Sequence, residues 1–534
     1  MRNFHFKQLT FLLSLTLVLG ACSHKLNLQP LNANTADKQY SSLQGYKQAL
    51  AKVYGSYSLI SSAGTGASDV GFAGLGDVGT TDFLRALWNV QELTTDEAVC
   101  AWNDADLQSL HNLNWTASNI YVHDIYARSL FQITVANEFL RQSTDDKLAS
   151  RGIQGDDATQ IHYFRAEARF LRAYQYWVLM DLFGNPPFIT EQDPIGKFIP
   201  KQISRKDLFD YIVSELKAID GDLVAPRQNE YGRVDQAADW ALLARVCLNA
   251  EVYTGTADYA DAVLYSQKVI DAGYTLQDDY ADLFKSDNNL QNPEQILSIA
   301  YDATSSQNYG GTTFLICSAH GTDPTDNRNY GIPGGGWLGN RSTQPLSALF
   351  GSDYTNSPDH RALFGPGSPT INDVIDFSQG VEVYKFSNQS STGETPYSPN
   401  GVLCSTDFAI FRLAEMYLTY AEAVVRGGAG GDKATALKYI NLLQDRAYGN
   451  RSHEITAAGL TLPFLLDERG RELYWEGFRR TDLIRFGEFT SDAYLWPWKG
   501  GVAAGRGVDS HFKLFPLPAA EIIANPNLQQ NAGY

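Results

Sequence analysis

Cys22 is the residue whose neighbours most narrowly prescribe a chemistry. Leu19, Gly20 and Ala21 stand directly before it, an apolar residue and two small ones ahead of a thiol. That is the pattern of a bacterial lipobox, in which the sulfur is acylated and everything upstream is removed. The preceding residues fit a secretory leader: Arg2 and Lys7 supply a cationic start, and Leu9 to Leu19 is an apolar run broken only by Thr10, Ser14 and Thr16, too short to span a bilayer. Each buried acyl methylene contributes about 0.8 kcal/mol and a single chain anchors only marginally, so the two or more chains of such lipoproteins hold firmly. The expectation is a mature chain anchored at Cys22 without crossing the membrane.

Paired carboxylates are the next groups able to do chemistry, since two acids can share general acid and base work. Glu472 and Glu476 are one helical turn apart, but amid Arg469, Arg471, Arg479 and Arg480. Structural ion pairing is the expected use. Arg165, Glu167, Arg169 and Arg172 crowd an earlier helix and are expected to pair with Glu468, Glu472, Glu476 and Asp482. Beyond Cys22, the cysteines are Cys100, Cys247, Cys317 and Cys404, far apart and without CxxC spacing. Neither a zinc site nor a disulfide scaffold is indicated. The nine histidines are scattered, and HExxH, GxSxG and GxxxxGK[ST] are all lacking, so no metal and no cofactor is expected. Asp278, Asp279, Asp282 and Asp287 form an acidic loop without EF-hand order and read as a solvated turn.

Charge narrows the partner. The formal net charge is −18, and loss of the leader removes Arg2 and Lys7 but no acid. No stretch concentrates Lys or Arg, and a balance this negative repels phosphate backbones, so nucleic acid is excluded and a neutral ligand expected. Aromatics are 12% of the chain, with 29 Tyr as the largest class. Tyrosine suits half-buried surfaces where the ring packs and the hydroxyl stays wet.

Such residues need elements to hold them. Ser41 to Leu59 and Asn119 to Arg141 repeat apolar and small residues at three and four positions, as helices with one buried face do. Ala158 to Leu182 is the clearest case, with Phe164, Ala168, Leu171, Gln175 and Leu179 in one stripe and Gly184, Pro186 and Pro187 ending it. Two helix pairs, Ala237 to Tyr253 with Tyr259 to Ala272 and Ala409 to Val425 with Lys433 to Ala447, bring small alanines to their contact faces. They resemble tetratricopeptide repeats with longer turns. Between them, Tyr301 to Cys404 is rich in Gly, Pro, Ser and Asn, including Gly334-Gly335-Gly336 and Gly365-Pro366-Gly367. It reads as long loops with a few short strands, the kind of segment that binds something on a rigid scaffold. The organisation expected is a leader over 1–21 and one mostly α domain over 22–534, its helical scaffold about 35–300 and 405–534 and its loop-rich ligand-binding region about 60–118 and 301–404.

Four stretches carry a resemblance: AEARFLRAYQYWVLMDLFGNPPFIT at Ala166 to Thr190, FRLAEMYLTYAEA at Phe411 to Ala423, ERGRELYWEGFRRTDLIRFG at Glu468 to Gly487 and FPLPAAEIIANPNLQQNAGY at Phe515 to Tyr534. With the lipobox, they resemble the SusD/RagB family of outer-membrane nutrient-binding lipoproteins of Bacteroidetes. GLGDVGTTDFLR at Gly74 to Arg85, ELTTDEAVCAW at Glu92 to Trp102, QNYGGTTFL at Gln307 to Leu315 and AYLWPWKGG at Ala493 to Gly501 resemble its starch-binding branch. The resemblance implies a tetratricopeptide-like helical scaffold facing a SusC-like TonB-dependent transporter, with loops on the other side holding a glycan, starch or a maltooligosaccharide first among them, and no bond broken.

The same resemblance nominates Trp102, Tyr309 and Trp337 as stacking rings and Asp77 and Arg85 as polar clamps. Their contexts agree, because Tyr309 precedes two glycines and Trp337 follows three, which lets a backbone approach a ligand. Two positions depart from the branch: Ala105 stands where an amide is usual, and Cys100 where a second aromatic is. Two other readings remain, an envelope scaffold that binds only protein and a glycoside hydrolase with carboxylates distant in sequence. The lipid anchor predicts that mass spectrometry of the mature protein finds an acylated Cys22 at its amino terminus; an unmodified thiol there excludes the anchor.

Overall fold

The computed structural model describes residues 36–61, 66–70, 77–196, 198–290, 292–321 and 330–534. Cys22 and the leader expected over 1–21 lie outside them. The main helices are α1 Leu43–Ser58, α2 Phe83–Glu92, α3 Ile120–Gln142, α4 Gly155–Phe183, α5 Arg205–Ile219, α6 Gln236–Leu248, α7 Tyr259–Asp271, α8 Gly311–Ala319, α9 Leu413–Val425, α10 Lys433–Tyr448, α11 Leu462–Leu473 and α12 Arg479–Arg485. Most begin at a short polar side chain that accepts the free backbone N–H groups of the first turn: Ser42 for α1, Asp82 for α2, Asn119 for α3, Ser204 for α5, Asp235 for α6, Asp432 for α10 and Thr461 for α11. α4 stops at Gly184, whose φ of 71° no β-carbon-bearing residue adopts without cost.

The strands are short. β1 Val99–Cys100, β2 Pro187–Phe188, β3 Lys201–Gln202, β4 Gln295–Ile299, β5 Asn340–Arg341, β6 Phe364–Ser368, β7 Gly380–Val383 and β8 Phe408–Arg412 form four antiparallel ribbons, β1 with β5, β2 with β3, β4 with β8 and β6 with β7. The fold is the mostly helical one expected, with α3 packed on α4, α6 on α7, α7 on α9 and α9 on α10. The two repeat-like pairs therefore stack into one run of helices. No helix among the described residues is long and apolar enough to cross a membrane.

Several expectations need correction. The second pair does not begin as helix at Ala409: Phe408–Arg412 is β8, paired with β4 across 109 to 117 positions of sequence. Its aromatic and β-branched residues satisfy their backbone groups on β4 before the helix starts at Leu413. The loop-rich segment also holds more than loops and strands, because GTTFLICSA forms α8 with all nine residues buried. A helix buried on every side shows no amphipathic stripe. Finally, the α4 cations find nearer acids than those proposed: Arg165 pairs with Asp145, Arg169 with Glu215, Arg172 with Glu191 and Glu215, and Glu167 with Arg233.

The later acids do form ion pairs, but with other cations. Arg412 meets Glu294 at 2.8 Å, Glu472 at 2.6 Å and Glu476 at 2.7 Å; Arg361 meets Asp359, Glu468 and Glu472; Lys385 meets Glu476 at 2.7 Å. All are buried. Glu476 lies beyond the end of α11, after Trp475 at a φ of 64°, so it is not one turn up the same helix. Glu422 sits beside Arg485, Arg426 and Arg469.

Burial alone would raise the Glu422 carboxyl, yet Arg485, Arg469 and Arg426 outweigh it and hold it at about 2, against 4.5 for a free glutamate. A carboxyl lowered on folding contributes stability that is fully present above the unfolded value and lost as pH falls through the folded one. Urea denaturation should therefore show stability falling between pH 4.5 and 2 by about 3 kcal/mol from this group. Glu422→Gln should flatten that slope and cost about 3 to 5 kcal/mol at pH 7, because it leaves buried guanidinium groups without their anion.

Candidate functional site

Helix α2 is the element that aims the site. All ten of its residues are buried; Trp88 packs edge-on against Trp475 at 5.1 Å and against Phe314 of α8 at 5.6 Å, and its indole N–H donates to the Trp475 carbonyl. Asp82 starts the helix, and its Oδ1 also accepts the Gly311 N–H at 2.7 Å, which ties α2 to the loop carrying Tyr309. Gly311 has a φ of +54°, and a Cβ there would stand 2.3 Å from the Tyr301 ring. Only glycine lets the chain turn here. Sequence reasoning missed Asp82, although a capping aspartate ahead of an apolar run is itself a visible signal.

Arg85 projects from α2 and is 3% exposed. Its guanidinium meets the half-exposed Asp77 carboxylate at 2.8 Å, donates to the Tyr309 carbonyl at 3.1 Å and stands 5.8 Å from the Trp102 ring centre and 4.7 Å from that of Phe314. The Asp77 carboxylate also accepts the Gly79 N–H at 3.0 Å. Trp102 follows β1, where Gln108 donates to its carbonyl at 2.7 Å and to that of Cys100 at 3.1 Å. Opposite, Ala101 N–H donates to the Gly339 carbonyl, and a Cβ on Gly339, whose φ is +121°, would come 2.5 Å from the indole nitrogen of Trp102. His111 supports the same turn by accepting the Cys100 N–H at 3.1 Å. Burial lowers this imidazole to about 4, so it is neutral and free to accept at physiological pH.

Tyr309 and Trp337 form the other wall. Their ring centres are 6.1 Å apart with planes at 62°, and the Tyr309 hydroxyl accepts from the Asn400 amide at 3.2 Å. Trp337 is fixed through its backbone, which donates to the Cys317 carbonyl at the end of α8.

Asp77, Arg85, Trp102, Tyr309 and Trp337 thus line one open hollow of about 470 Å³, together with Thr80, Asp104 and Tyr121. The sequence does not single out Thr80 and Tyr121, whereas Asn103 and Asp104 read as the residues that could stand in for the amide missing at Ala105. Thr80 donates to the buried Asp124 at 2.7 Å; Asp104 accepts the N–H groups of Asp106 and Leu107 and the Tyr121 hydroxyl at 3.0 Å. Ala105 and Asn103 are exposed beside them, whereas Cys100 is buried and offers no surface to the hollow. Burial pushes the Cys100 thiol up to about 12. Three rings with the Asp77 and Asp104 carboxylates and the Tyr309 hydroxyl can cover the C–H faces of a neutral polyhydroxylated ligand and reach its hydroxyls.

A second hollow, about 270 Å³ between α1 and β4, is lined largely by apolar side chains such as Leu50, Leu297 and Ile410, with Tyr231 at its edge. Cys247, Asp258 and Asp261 are the one group among the described residues that brings three possible metal ligands within 4.8 Å, and Lys217 holds Asp261 at 2.7 Å. Of the acidic loop, Asp279 caps Tyr280–Phe284, Asp282 pairs with Lys285 and Asp287 accepts from Ser391.

The SusD family model matches residues 359–534. The starch-binding protein SusD of Bacteroides thetaiotaomicron is 35% identical over 100% of both chains. Among solved structures, a laminarin-binding SusD-like protein superposes with a TM-score of 0.69 at 21% identity, covering 92% of this chain and 99% of the other. Surface glycan-binding protein A of Bacteroides thetaiotaomicron in complex with laminarihexaose gives 0.68 at 20%, covering 91% and 99%. The sequence identity along the whole chain carries the assignment and the superpositions agree in fold: this protein belongs to the SusD family.

Proposed function

We propose that this protein captures neutral oligosaccharides in the hollow between α2 and the Tyr309 and Trp337 loops, and passes them intact to a SusC-like TonB-dependent transporter while lipid on Cys22 tethers it to the outer membrane. The observation that carries the reading is convergence: five residues scattered from Asp77 to Trp337 in sequence line one open hollow. A net charge of −18 suits an uncharged ligand.

An α-glucan such as starch or a maltooligosaccharide is the favoured ligand. The full-length relative is named for starch binding, and rings inclined at 62° suit a curved chain better than a flat one. Two solved neighbours are named for laminarin or laminarihexaose, which makes laminarin the control that discriminates linkage. Asp77 and Asp104, the carboxylates of the hollow, are both held by donors of the protein. That arrangement supports binding over hydrolysis.

Each ring covering about 100 Å² of apolar surface contributes about 2.5 kcal/mol at ~25 cal/mol per Å². Three rings set against an association cost of about 4 kcal/mol or more leave a weak affinity, micromolar to millimolar.

Calorimetry against starch, maltooligosaccharides, laminarin and flat β-glucans should find binding in that range, strongest for the α-glucans; heats absent for every glycan refute the reading. Trp102→Ala or Trp337→Ala should weaken binding by about 1 to 3 kcal/mol, and unchanged affinity would mean that the ligand lies elsewhere. Chromatography after incubation with maltooligosaccharides should return them uncut.

A further inference from the structure

Two of the cysteines far apart in sequence meet in the fold. Cys317 lies in α8 and Cys404 just before β8; both are buried and both are free thiols. Their sulfurs share one acceptor, the Val402 carbonyl, at 3.5 Å and 3.3 Å, which brings the two thiols to the same side of one peptide group.

Their position in the hollow's wall gives the meeting its interest. The Cys317 carbonyl accepts the N–H groups of both Trp337 and Leu338, at 2.5 Å and 3.2 Å. The Cys404 N–H donates to the Thr313 hydroxyl at 2.9 Å. Close by, Gly334 N–H donates to the Gly401 carbonyl and Asn400 donates to the Tyr309 hydroxyl. The segments bearing Tyr309 and Trp337 and the segment 400–404 are therefore fastened together at the place where the two sulfurs lie.

We propose that Cys317 and Cys404 are a latent disulfide, closed when the chain folds in an oxidising compartment, which staples the Tyr309 and Trp337 wall of the hollow. The oxidant is a small-molecule disulfide. One cysteine thiolate attacks a sulfur of that disulfide and releases one thiolate; the second cysteine then attacks the mixed disulfide and releases the other. Two protein thiols and one small disulfide become one protein disulfide and two small thiols, so the protein is oxidised by two electrons and the reagent reduced by two.

Timing follows from burial. Burial, reinforced by the neighbouring Cys317 thiol, holds Cys404 protonated, and a buried protonated thiol neither attacks nor is reached. The bond therefore closes while the 400–404 segment is still settling, and a chain folded under reducing conditions keeps its two thiols. Cys100 is bonded through its backbone to His111 and Gln108, and Cys247 in α6 lies beside Asp258 and Asp261, so neither is predicted to join.

The test is to refold the mature chain from urea with oxidised and reduced glutathione, or with dithiothreitol, then to label free thiols under denaturing conditions and map peptides by mass spectrometry. The glutathione arm should lose two labelled thiols, yield one cross-linked pair containing Cys317 and Cys404, and gain several degrees in Tm that reductant abolishes. Hydrogen exchange at 334–338 should slow in the cross-linked form. Full labelling in both arms, glutathione adducts without an internal link, a link between other cysteines, or a link that leaves exchange at 334–338 unchanged would each overturn the proposal. Labelling of the unsubstituted protein needs no variant to fold and no glycan to bind, so its failure is separate from failure of the proposed function.

Discussion

Arg412 lies in the interior with its guanidinium nitrogens facing Glu294, Glu472 and Glu476, while Arg361 and Lys385 reach the same carboxylates from the loop-rich segment. Each of these ions is stripped of water at a cost of several kcal/mol, and only a geometry that satisfies all of them offsets it. Burial lowers even Lys385 to about 8 beside its partner. Such a cluster tolerates one arrangement of the elements that contribute to it. Because those elements are β4, β8, α11 and the 359–385 stretch, the cluster joins the helical scaffold to the insertion.

A second buried contact does the same for the other wall of the hollow. Arg479 of α12 clasps Asp96 through two nitrogens, at 2.8 Å and 2.7 Å, and the Tyr494 hydroxyl donates to the same carboxylate. The segment so fixed runs directly into β1 and Trp102. The rings are thus presented by loops whose roots are ion pairs in the core and whose tips stay open. A weakly binding site gains from this: the fewer degrees of freedom a ligand must arrest, the more of its contact energy appears as affinity.

The helices were legible because their signals are local. Ser41, Asn119 and Gly184 mark ends that the structure reproduces within two residues, and the alanine-rich faces of α6, α7, α9 and α10 announced close packing. The errors occurred where a residue's partner is distant. Phe408–Arg412 has an apolar pattern compatible with the helix that follows, and only β4 makes it a strand. Glu468, Glu472 and Glu476 advertise ion pairs without naming Arg361, Arg412 and Lys385, since like acids and like bases are interchangeable until the backbone sets their distances. The hollow was partly legible, because glycines beside Tyr309 and Trp337 signal exposed rings, whereas Thr80 and Tyr121 are common residues in unremarkable contexts.

By itself, the sequence determined the class of the molecule: an acidic, aromatic-rich chain of amphipathic helices interrupted by glycine-rich loops, with residues 19–22 matching the lipobox pattern. Those properties depend on neighbours a few positions away, which one strand of text contains. Tertiary structure alone decided which acids meet which bases, that Asp82 joins α2 to the Tyr309 turn, and that Cys317 and Cys404 share a carbonyl. Each of these is a contact of about 3 Å between residues separated by tens to hundreds of positions, and a separation along the chain fixes no such distance until the core has packed.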